Sequence, residues 1–157
     1  MILITSGMET NIAMSAGNTD KILSKEGNIT VRYSPITTDD SVRHIVNHPA
    51  FKGFGRYLLP RGKGTNDYDR PLNQVGSLMP YHDHVDPNIV VGAINHMIDQ
   101  VNDGGTIFYD YYNEQQKRED PAKASTGLFF FKGQPGAPFA IVSPGGGFAY
   151  VGSLHEG

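Results

Sequence analysis

The sequence predicts an α/β fold in which short strands and amphipathic helices surround one core. The segment 86–104 has its apolar residues at helical spacing. The segments 106–112, 127–133 and 139–143 are rich enough in apolar and aromatic residues to form strands. Nineteen glycines and ten prolines indicate many turns, so the composition disfavours a simple helical bundle.

The composition also argues against several classes of function. The 157 residues contain no cysteine, which rules out disulfides, thiolate catalysis and cysteine metal sites. A net charge of -3 offers no electrostatic surface for nucleic acid or for an anionic membrane. No apolar run approaches the ~18 residues that a membrane span needs. A soluble protein is therefore expected, either cytoplasmic or exported after removal of a signal.

Three regions are expected along the chain. Residues 1–28 are small and polar and predict a loosely ordered N-terminal arm. Residues 29–104 predict an irregular α+β extension or cap with two helices and a long loop. Residues 105–157 predict the start of a separate, sheet-based core.

The extension is expected to begin with a strand and a helix. Residues 29–33 alternate β-branched or aromatic side chains with polar ones, as a short strand does. Thr38 is a candidate cap for the helix that follows, and Pro49 is its expected end. The apolar stripe of this helix consists of Val42, Ile45 and Val46.

The rest of the extension combines a long loop with the clearest helix. Residues 51–87 are rich in turn-forming residues, and a loop of that length predicts a lid or a pocket-lining segment. Its apolar anchors are Phe54, Tyr57, Leu58, Leu59, Leu78 and Met79. The helix that follows has Asp86 as its N-cap, Pro87 in its first turn and Gly104 at its stop.

A glycine turn follows the last predicted strand. Residues 139–143 are apolar without alternation, which predicts a strand buried on both faces. Pro144 and the glycines 145–147 come directly after it. Consecutive glycines allow the backbone to approach a bound group closely, and successive N–H groups can converge on one negative oxygen. This pattern is typical of a site that stabilises an oxyanion in acyl transfer, although a flexible surface turn is the alternative.

The last thirty residues resemble the oxyanion-loop segment of α/β-hydrolase-fold esterases and lipases, in particular the bacterial acetyl-esterase branch. Pro144 stands where many members have histidine, and Phe148 takes the aromatic position. Glu156 and Gly157 match the Glu-Gly that opens the first helix of that fold, and His155 is not the motif histidine. The resemblance implies that residues 105–157 are the start of an α/β-hydrolase core.

The resemblance also implies roles for the turn residues. The backbone N–H groups of Gly145 and Gly146 would hold the oxyanion, Gly147 would permit the turn, and Pro144 and Phe148 would line the substrate site. The substrate would be a small-molecule or carbohydrate ester of a short acyl group, acetyl included. No cofactor is needed for this chemistry.

The nucleophile of the family is missing from this sequence. No Gly-x-Ser-x-Gly pentapeptide occurs in the 157 residues, and Ser143 and Ser153 lie outside such a context, where loop hydrogen bonding is expected of them. We therefore expect a truncated hydrolase, completed by a C-terminal remainder. The chain alone is expected to be inactive and to expose an apolar strand.

Two alternatives stay open. His82, His84 and Asp86 spell His-x-His-x-Asp, which resembles the start of the metallo-β-lactamase motif, so a metal-dependent hydrolase is one alternative. Pro87 breaks that motif at its fourth position, and Asp86 also suits the helix cap. A non-catalytic binding module, with a merely structural glycine turn, is the other. The glycines of 53–64 match no phosphate-loop pattern, so Arg56 and Arg61 are expected to be surface or loop-anchoring charges.

Overall fold

The core of the molecule lies between residues 36 and 107, where helical segments pack around one apolar cluster. The computed structural model describes residues 13–15, 17, 19–23, 29–60, 68–79, 84–145, 147 and 151–154. The buried apolar residues are Ile36, Val42, Ile45, Ala50, Phe51, Leu58, Leu59, Leu72, Val75, Leu78, Met79, Val90, Ile94, Met97, Ile98 and Ile107. Most of this core therefore belongs to the region that the sequence marks as an extension.

An antiparallel sheet of three strands precedes the core. Its strands are β1 (Ala13–Ser15), β2 (Thr19–Leu23) and β3 (Ile29–Tyr33), paired in the order β1-β2-β3. The strand predicted at residues 29–33 is confirmed. Strands β1 and β2 lie within the region that the sequence marks as an N-terminal arm.

The first helix, α1 (Val42–Val46), begins later than the sequence predicts. Thr38 is not its cap, because Ser41 takes that position and its Oγ accepts a hydrogen bond from the His44 N–H at 3.2 Å. A turn forms ahead of the helix instead, since Asp40 Oδ2 accepts from the Thr37 N–H at 2.7 Å. The predicted apolar stripe is confirmed: Val42 and Ile45 are buried and Val46 packs against the core.

Three short 3₁₀ segments occupy the described part of the long predicted loop: Pro49–Phe51, Gly55–Tyr57 and Leu72–Leu78. Four of the predicted anchors are buried, namely Leu58, Leu59, Leu78 and Met79, while Phe54 packs against the core from its edge. Backbone hydrogen bonds also hold this region to α1, for example from the Val42 N–H to the Arg70 carbonyl at 2.9 Å. Its apolar side chains thus give the irregular segment a fixed course.

The second helix, α2 (Pro87–Asn102), has the limits that the sequence predicts. Asp86 Oδ1 accepts a hydrogen bond from the Asn88 N–H at 2.8 Å and so caps the helix. The buried face consists of Val90, Ile94, Met97 and Ile98. Gly104 has a φ of +81°, a conformation that favours glycine and ends the helix.

Two asparagines of α2 fasten the strand β3 and the chain after it. Asn102 Oδ1 accepts from the Tyr33 N–H at 2.7 Å, and its Nδ2 donates to the Tyr33 carbonyl at 3.0 Å. Asn95 binds Ile36 in the same way, with distances of 2.8 and 2.9 Å. Because the two asparagines are seven residues apart, they lie two turns apart on one side of the helix.

The C-terminal region starts with a two-stranded antiparallel sheet of β4 (Phe108–Asp110) and β5 (Gly127–Phe129). Both strands are shorter than the sequence predicts. The polar stretch between them forms the exposed helix α3 (Glu114–Glu119), capped by Asn113, and a 3₁₀ segment, Pro121–Ser125. The prediction of an exposed turn or a solvent-facing helix there is confirmed.

The prediction of a buried strand at residues 139–143 is wrong. This segment has no regular secondary structure, and Phe139 and Ile141 are 87% and 80% exposed. None of its backbone groups is hydrogen-bonded within the described part of the chain, so no neighbouring strand fixes an extended conformation. The apolar composition is as the sequence analysis describes it, but nothing among the described residues covers it.

Candidate functional site

The glycine turn is described in part, at Pro144, Gly145 and Gly147. Gly145 and Gly147 are exposed, and Gly147 has a φ of +59°, in the left-handed region that favours glycine. The Gly145 carbonyl accepts a hydrogen bond from the N–H of the buried Gly152 at 3.1 Å. This bond joins Gly145 to Gly152, seven residues later in the chain. The predicted site residues Gly146 and Phe148 lie outside the described residues.

The chain after the glycine turn is tied to the core next to Tyr57. The Ser153 hydroxyl donates a hydrogen bond to the Tyr57 carbonyl, and Leu154 packs against the core cluster. Ser153 therefore has the loop-bonding role that the sequence predicts. Tyr57 belongs to the 3₁₀ segment Gly55–Tyr57, so the glycine loop is fastened to the middle of the extension.

A cavity of about 450 Å³ is lined in part by the same segment. We call it the Arg56 cavity, and its walls come from residues 52–57, β4 and the α3 region. The lining residues are Lys52, Gly53, Phe54, Arg56, Tyr57, Phe108, Asp110, Lys117 and Ala124. Residues 52–54, 56 and 57 of the predicted lid or pocket-lining loop thus line this cavity.

Three stacked rings form the floor of the Arg56 cavity. The ring of Phe108 is nearly parallel to that of Phe54, with centroids 4.9 Å apart, and to that of Tyr57, with centroids 5.6 Å apart. The Arg56 guanidinium lies over the Tyr57 ring, 4.6 Å from its centroid. Aromatic stacking and the cation–π contact both favour this layered order.

The cations at the cavity differ in their partners. Lys117 Nζ lies 2.9 Å from Glu114 Oε1 and 3.1 Å from Asp110 Oδ1. The hydrogen bonds to Glu114 and Asp110 raise the pKa of Lys117 and keep its charge in place. Arg56 donates to the Tyr57 hydroxyl and to the Ala124 carbonyl, so it anchors a loop as the sequence predicts. Within the described part of the chain, neither Arg56 nor Lys52 has a carboxylate within 4.0 Å.

Two residues of the predicted metal motif, His84 and Asp86, lie within the described part of the chain. Asp86 caps α2 through Asn88, which occupies one of its carboxylate oxygens, and His84 is exposed. His82 lies outside the described residues. The described ranges contain no group of three or more histidine, aspartate or glutamate side chains arranged to hold a metal ion.

The most buried of the described histidines is His48, at the start of the segment Pro49–Phe51. Its Nε2 lies 3.1 Å from the Ser34 carbonyl and donates to it, while its Nδ1 accepts from the Ala50 N–H at 3.4 Å. Burial lowers the pKa of His48, and the Ser34 hydrogen bond opposes that effect. Both ring nitrogens are occupied by the fold, so this histidine is structural.

The chain matches no protein-family model, and no curated protein or solved structure is significantly similar to it. The site must therefore be interpreted from its own residues. Among the residues that the structure describes, no helix has the length and apolar composition required to cross a membrane.

The aromatic and basic cavity is the feature that sequence reasoning missed. Arg56, Phe108 and Lys117 are far apart in the chain, and none belongs to a recognisable motif. The one available signal is the density of aromatic and basic residues in 51–57, which the predicted pocket-lining role includes only in general terms.

Proposed function

We propose that this chain supplies the oxyanion loop of an α/β-hydrolase-fold serine esterase that cleaves short-chain acyl esters, including acetyl esters of a sugar. The observation that carries the proposal is the sequence Pro-Gly-Gly-Gly-Phe at 144–148 directly after an apolar segment. Two structural features are compatible with it: the left-handed Gly147 and the hydrogen bond that joins Gly145 to Gly152.

The proposed mechanism assigns the glycine loop to the transition state. When a serine attacks the ester carbonyl, its oxygen gains negative charge, and the backbone N–H groups of Gly145 and Gly146 donate to it. Gly147 allows the chain to turn, and Pro144 and Phe148 line the acyl site. Fixed donors of this kind stabilise the tetrahedral intermediate more than the substrate, which lowers the barrier.

The serine itself is proposed to lie in polypeptide beyond these 157 residues. The sequence contains no Gly-x-Ser-x-Gly, and Ser153 donates its hydroxyl proton to the Tyr57 carbonyl instead of to a base. The C-terminal remainder would add the serine, the acid and the histidine, and a third oxyanion donor would follow the serine in the chain.

The proposal has one test on the chain itself and one on the completed enzyme. The purified chain is expected to show no hydrolysis of p-nitrophenyl acetate that a serine-directed inhibitor abolishes. In the enzyme completed by its remainder, Gly146→Pro removes an oxyanion donor and is expected to lower kcat by about 10²–10³-fold. The matched control is Gly133→Ala, because a Cβ there meets nothing within 4 Å and φ is not left-handed.

Three results would contradict the proposal. Inhibitor-sensitive turnover by the chain alone would place a nucleophile within it. Equal kcat for Gly146→Pro and Gly133→Ala would remove the glycine loop from the mechanism. Activity that is lost to a chelator and restored by zinc would favour the metal-dependent alternative at His82, His84 and Asp86.

A further inference from the structure

We propose that the Arg56 cavity binds a small organic anion, a carboxylate or a phosphate carried on a flat ring. The proposal concerns a different part of the molecule from the glycine loop and does not depend on esterase activity. It rests on the charges at the cavity, the stacked floor and the fixed position of the guanidinium.

The charge of the cavity favours an anion. Lys52 and Arg56 line it without a carboxylate partner in the described part of the chain, whereas Lys117 is paired with Asp110 and Glu114. Lys117 is shared between Glu114 and Asp110, the one acidic lining residue, so these three side chains carry a net charge of -1. With Lys52 and Arg56 included, the charged groups at the cavity sum to +1 in a chain whose net charge is -3.

The floor favours a flat ring. Phe54, Phe108 and Tyr57 present nearly parallel aromatic surfaces, with centroid separations of 4.9 and 5.6 Å at Phe108. Because Phe54 and Tyr57 already stack on Phe108, a planar ligand ring packs against the remaining ring edges and excludes water from them. The volume of about 450 Å³ falls within the ~300–1,000 Å³ that is common for small-molecule sites.

The guanidinium of Arg56 is already positioned to bind the charged group of the ligand. It lies over the Tyr57 ring, and one of its nitrogens donates to the Tyr57 hydroxyl and the Ala124 carbonyl. Only that nitrogen, NH2, takes part in hydrogen bonds within the described residues, so the other N–H groups are available. A guanidinium fixed in this way loses little side-chain entropy when it forms a forked pair with a carboxylate or phosphate.

Calorimetric titration of the 157-residue chain tests the proposal with three ligands of one ring size. Benzoate and phenyl phosphate are expected to bind about tenfold or more tightly than neutral benzyl alcohol, because a hydrogen-bonded ion pair adds that much. The ratio of the two anion affinities distinguishes a carboxylate site from a phosphate site. Binding of both anions is expected to weaken as salt is raised.

Matched variants locate the site. Arg56→Gln is expected to weaken benzoate binding about tenfold or more, and Lys52→Gln to weaken it severalfold. Arg56→Lys retains the charge without the fork and is expected to fall between wild type and Arg56→Gln. Lys132→Gln removes an exposed cation outside the cavity and is expected to leave the affinity unchanged.

The outcomes are decisive in both directions. Tighter binding of the anions, lost in the Arg56 and Lys52 variants and kept in Lys132→Gln, supports the site. Equal affinity for benzyl alcohol and benzoate, no binding by any ligand, or equal losses in all three charge variants overturns it. If Arg56→Gln melts below the assay temperature, Lys52→Gln decides, because Lys52 is exposed and its side chain makes no hydrogen bond or ion pair within the described residues.

Discussion

His48 shows how one residue makes stability depend on pH. The ring is 1% exposed, donates from Nε2 to the Ser34 carbonyl and accepts at Nδ1 from the Ala50 N–H. The Ala50 bond requires the neutral ring, because a proton on Nδ1 would displace the Ala50 donor, whereas Nε2 can donate to Ser34 in either protonation state. Burial lowers the pKa of His48, while the neighbouring His44 ring lowers it further and Asp40 opposes both.

The sign of the pH dependence follows from that lowered pKa. In the unfolded chain the histidine takes up a proton near pH 6.5, but in the folded chain it does so only at lower pH. Below about pH 6.5 the unfolded state therefore binds more protons. As the pH is lowered below about 6.5, the free energy of unfolding should therefore fall by up to about 1.4 kcal/mol per pH unit, until the pH reaches the pKa of His48 in the folded state.

Chemical denaturation between pH 7.5 and 5 checks this prediction. His48→Gln removes the titrating group but retains an amide donor and acceptor, so its free energy of unfolding should depend less steeply on pH over that range. His96→Gln replaces an exposed histidine and should keep the wild-type pH dependence, because His48 is untouched. Parallel pH profiles for wild type and His48→Gln would show that His48 does not carry the effect.

At the scale of elements, the two asparagines of α2 decide how that helix meets the N-terminal strands. Asn95 satisfies both backbone groups of Ile36 at 2.8 and 2.9 Å, and the Ile36 side chain is buried. Asn95→Ala leaves those backbone groups without partners in a partly buried position. We expect the free energy of unfolding to fall by about 1–3 kcal/mol.

A control in the same helix separates the loss of the Asn95 hydrogen bonds from a change in helix propensity. Asp99 is exposed, so Asp99→Ala should change the free energy of unfolding by no more than about 0.5 kcal/mol. Urea denaturation of both variants measures the difference. Equal stabilities for Asn95→Ala and Asp99→Ala would mean that the Asn95 hydrogen bonds contribute nothing net.

Elements whose signals are local could be predicted from the sequence, and those fixed by distant partners could not. Helix α2 has its cap, its stripe and its glycine stop within its own residues, and β3 has a clear alternation. The start of α1 was mispredicted because Thr38 and Ser41 are both good caps, and the Thr37–Asp40 hydrogen bond selects the later one. The hydrogen bonds of Asn95 and Asn102 go to residues about sixty or more positions earlier in the chain, and no periodicity of the sequence reveals such pairs.

The two candidate sites differ in how far the sequence predicts them, and the reason is again the distance between their residues in the chain. The glycine turn is visible in the sequence because its residues are consecutive, although the nucleophile it would serve is not among them. The Arg56 cavity is invisible there, since Phe108 and Lys117 join Arg56 only through the packing of β4 and α3. The segment 139–143 was mispredicted because an apolar composition specifies a strand only when a neighbouring strand can pair with it.

At the scale of the whole molecule, the two halves of the chain differ in how completely their apolar side chains are buried. The helical core buries its apolar residues, whereas Phe130, Phe131, Phe139, Ile141, Val142 and Val151 are 47% to 87% exposed. Large exposed apolar side chains, when they form a patch, promote association. Uncovered backbone groups at 139–143 add a template for strand pairing.

This imbalance predicts that the isolated chain associates as it is concentrated. In sedimentation velocity, its mass should rise above the monomer value of 17.2 kDa, and the double variant Phe139→Ser, Ile141→Ser should remain closer to that value. Ile89→Ser is the control, because Ile89 is 71% exposed on α2, away from this segment in the chain. A chain that stays monomeric at every concentration would contradict the prediction. An equal reduction of the association by Ile89→Ser would also contradict it, because the association would then reflect general hydrophobicity and not the exposed segment 139–143.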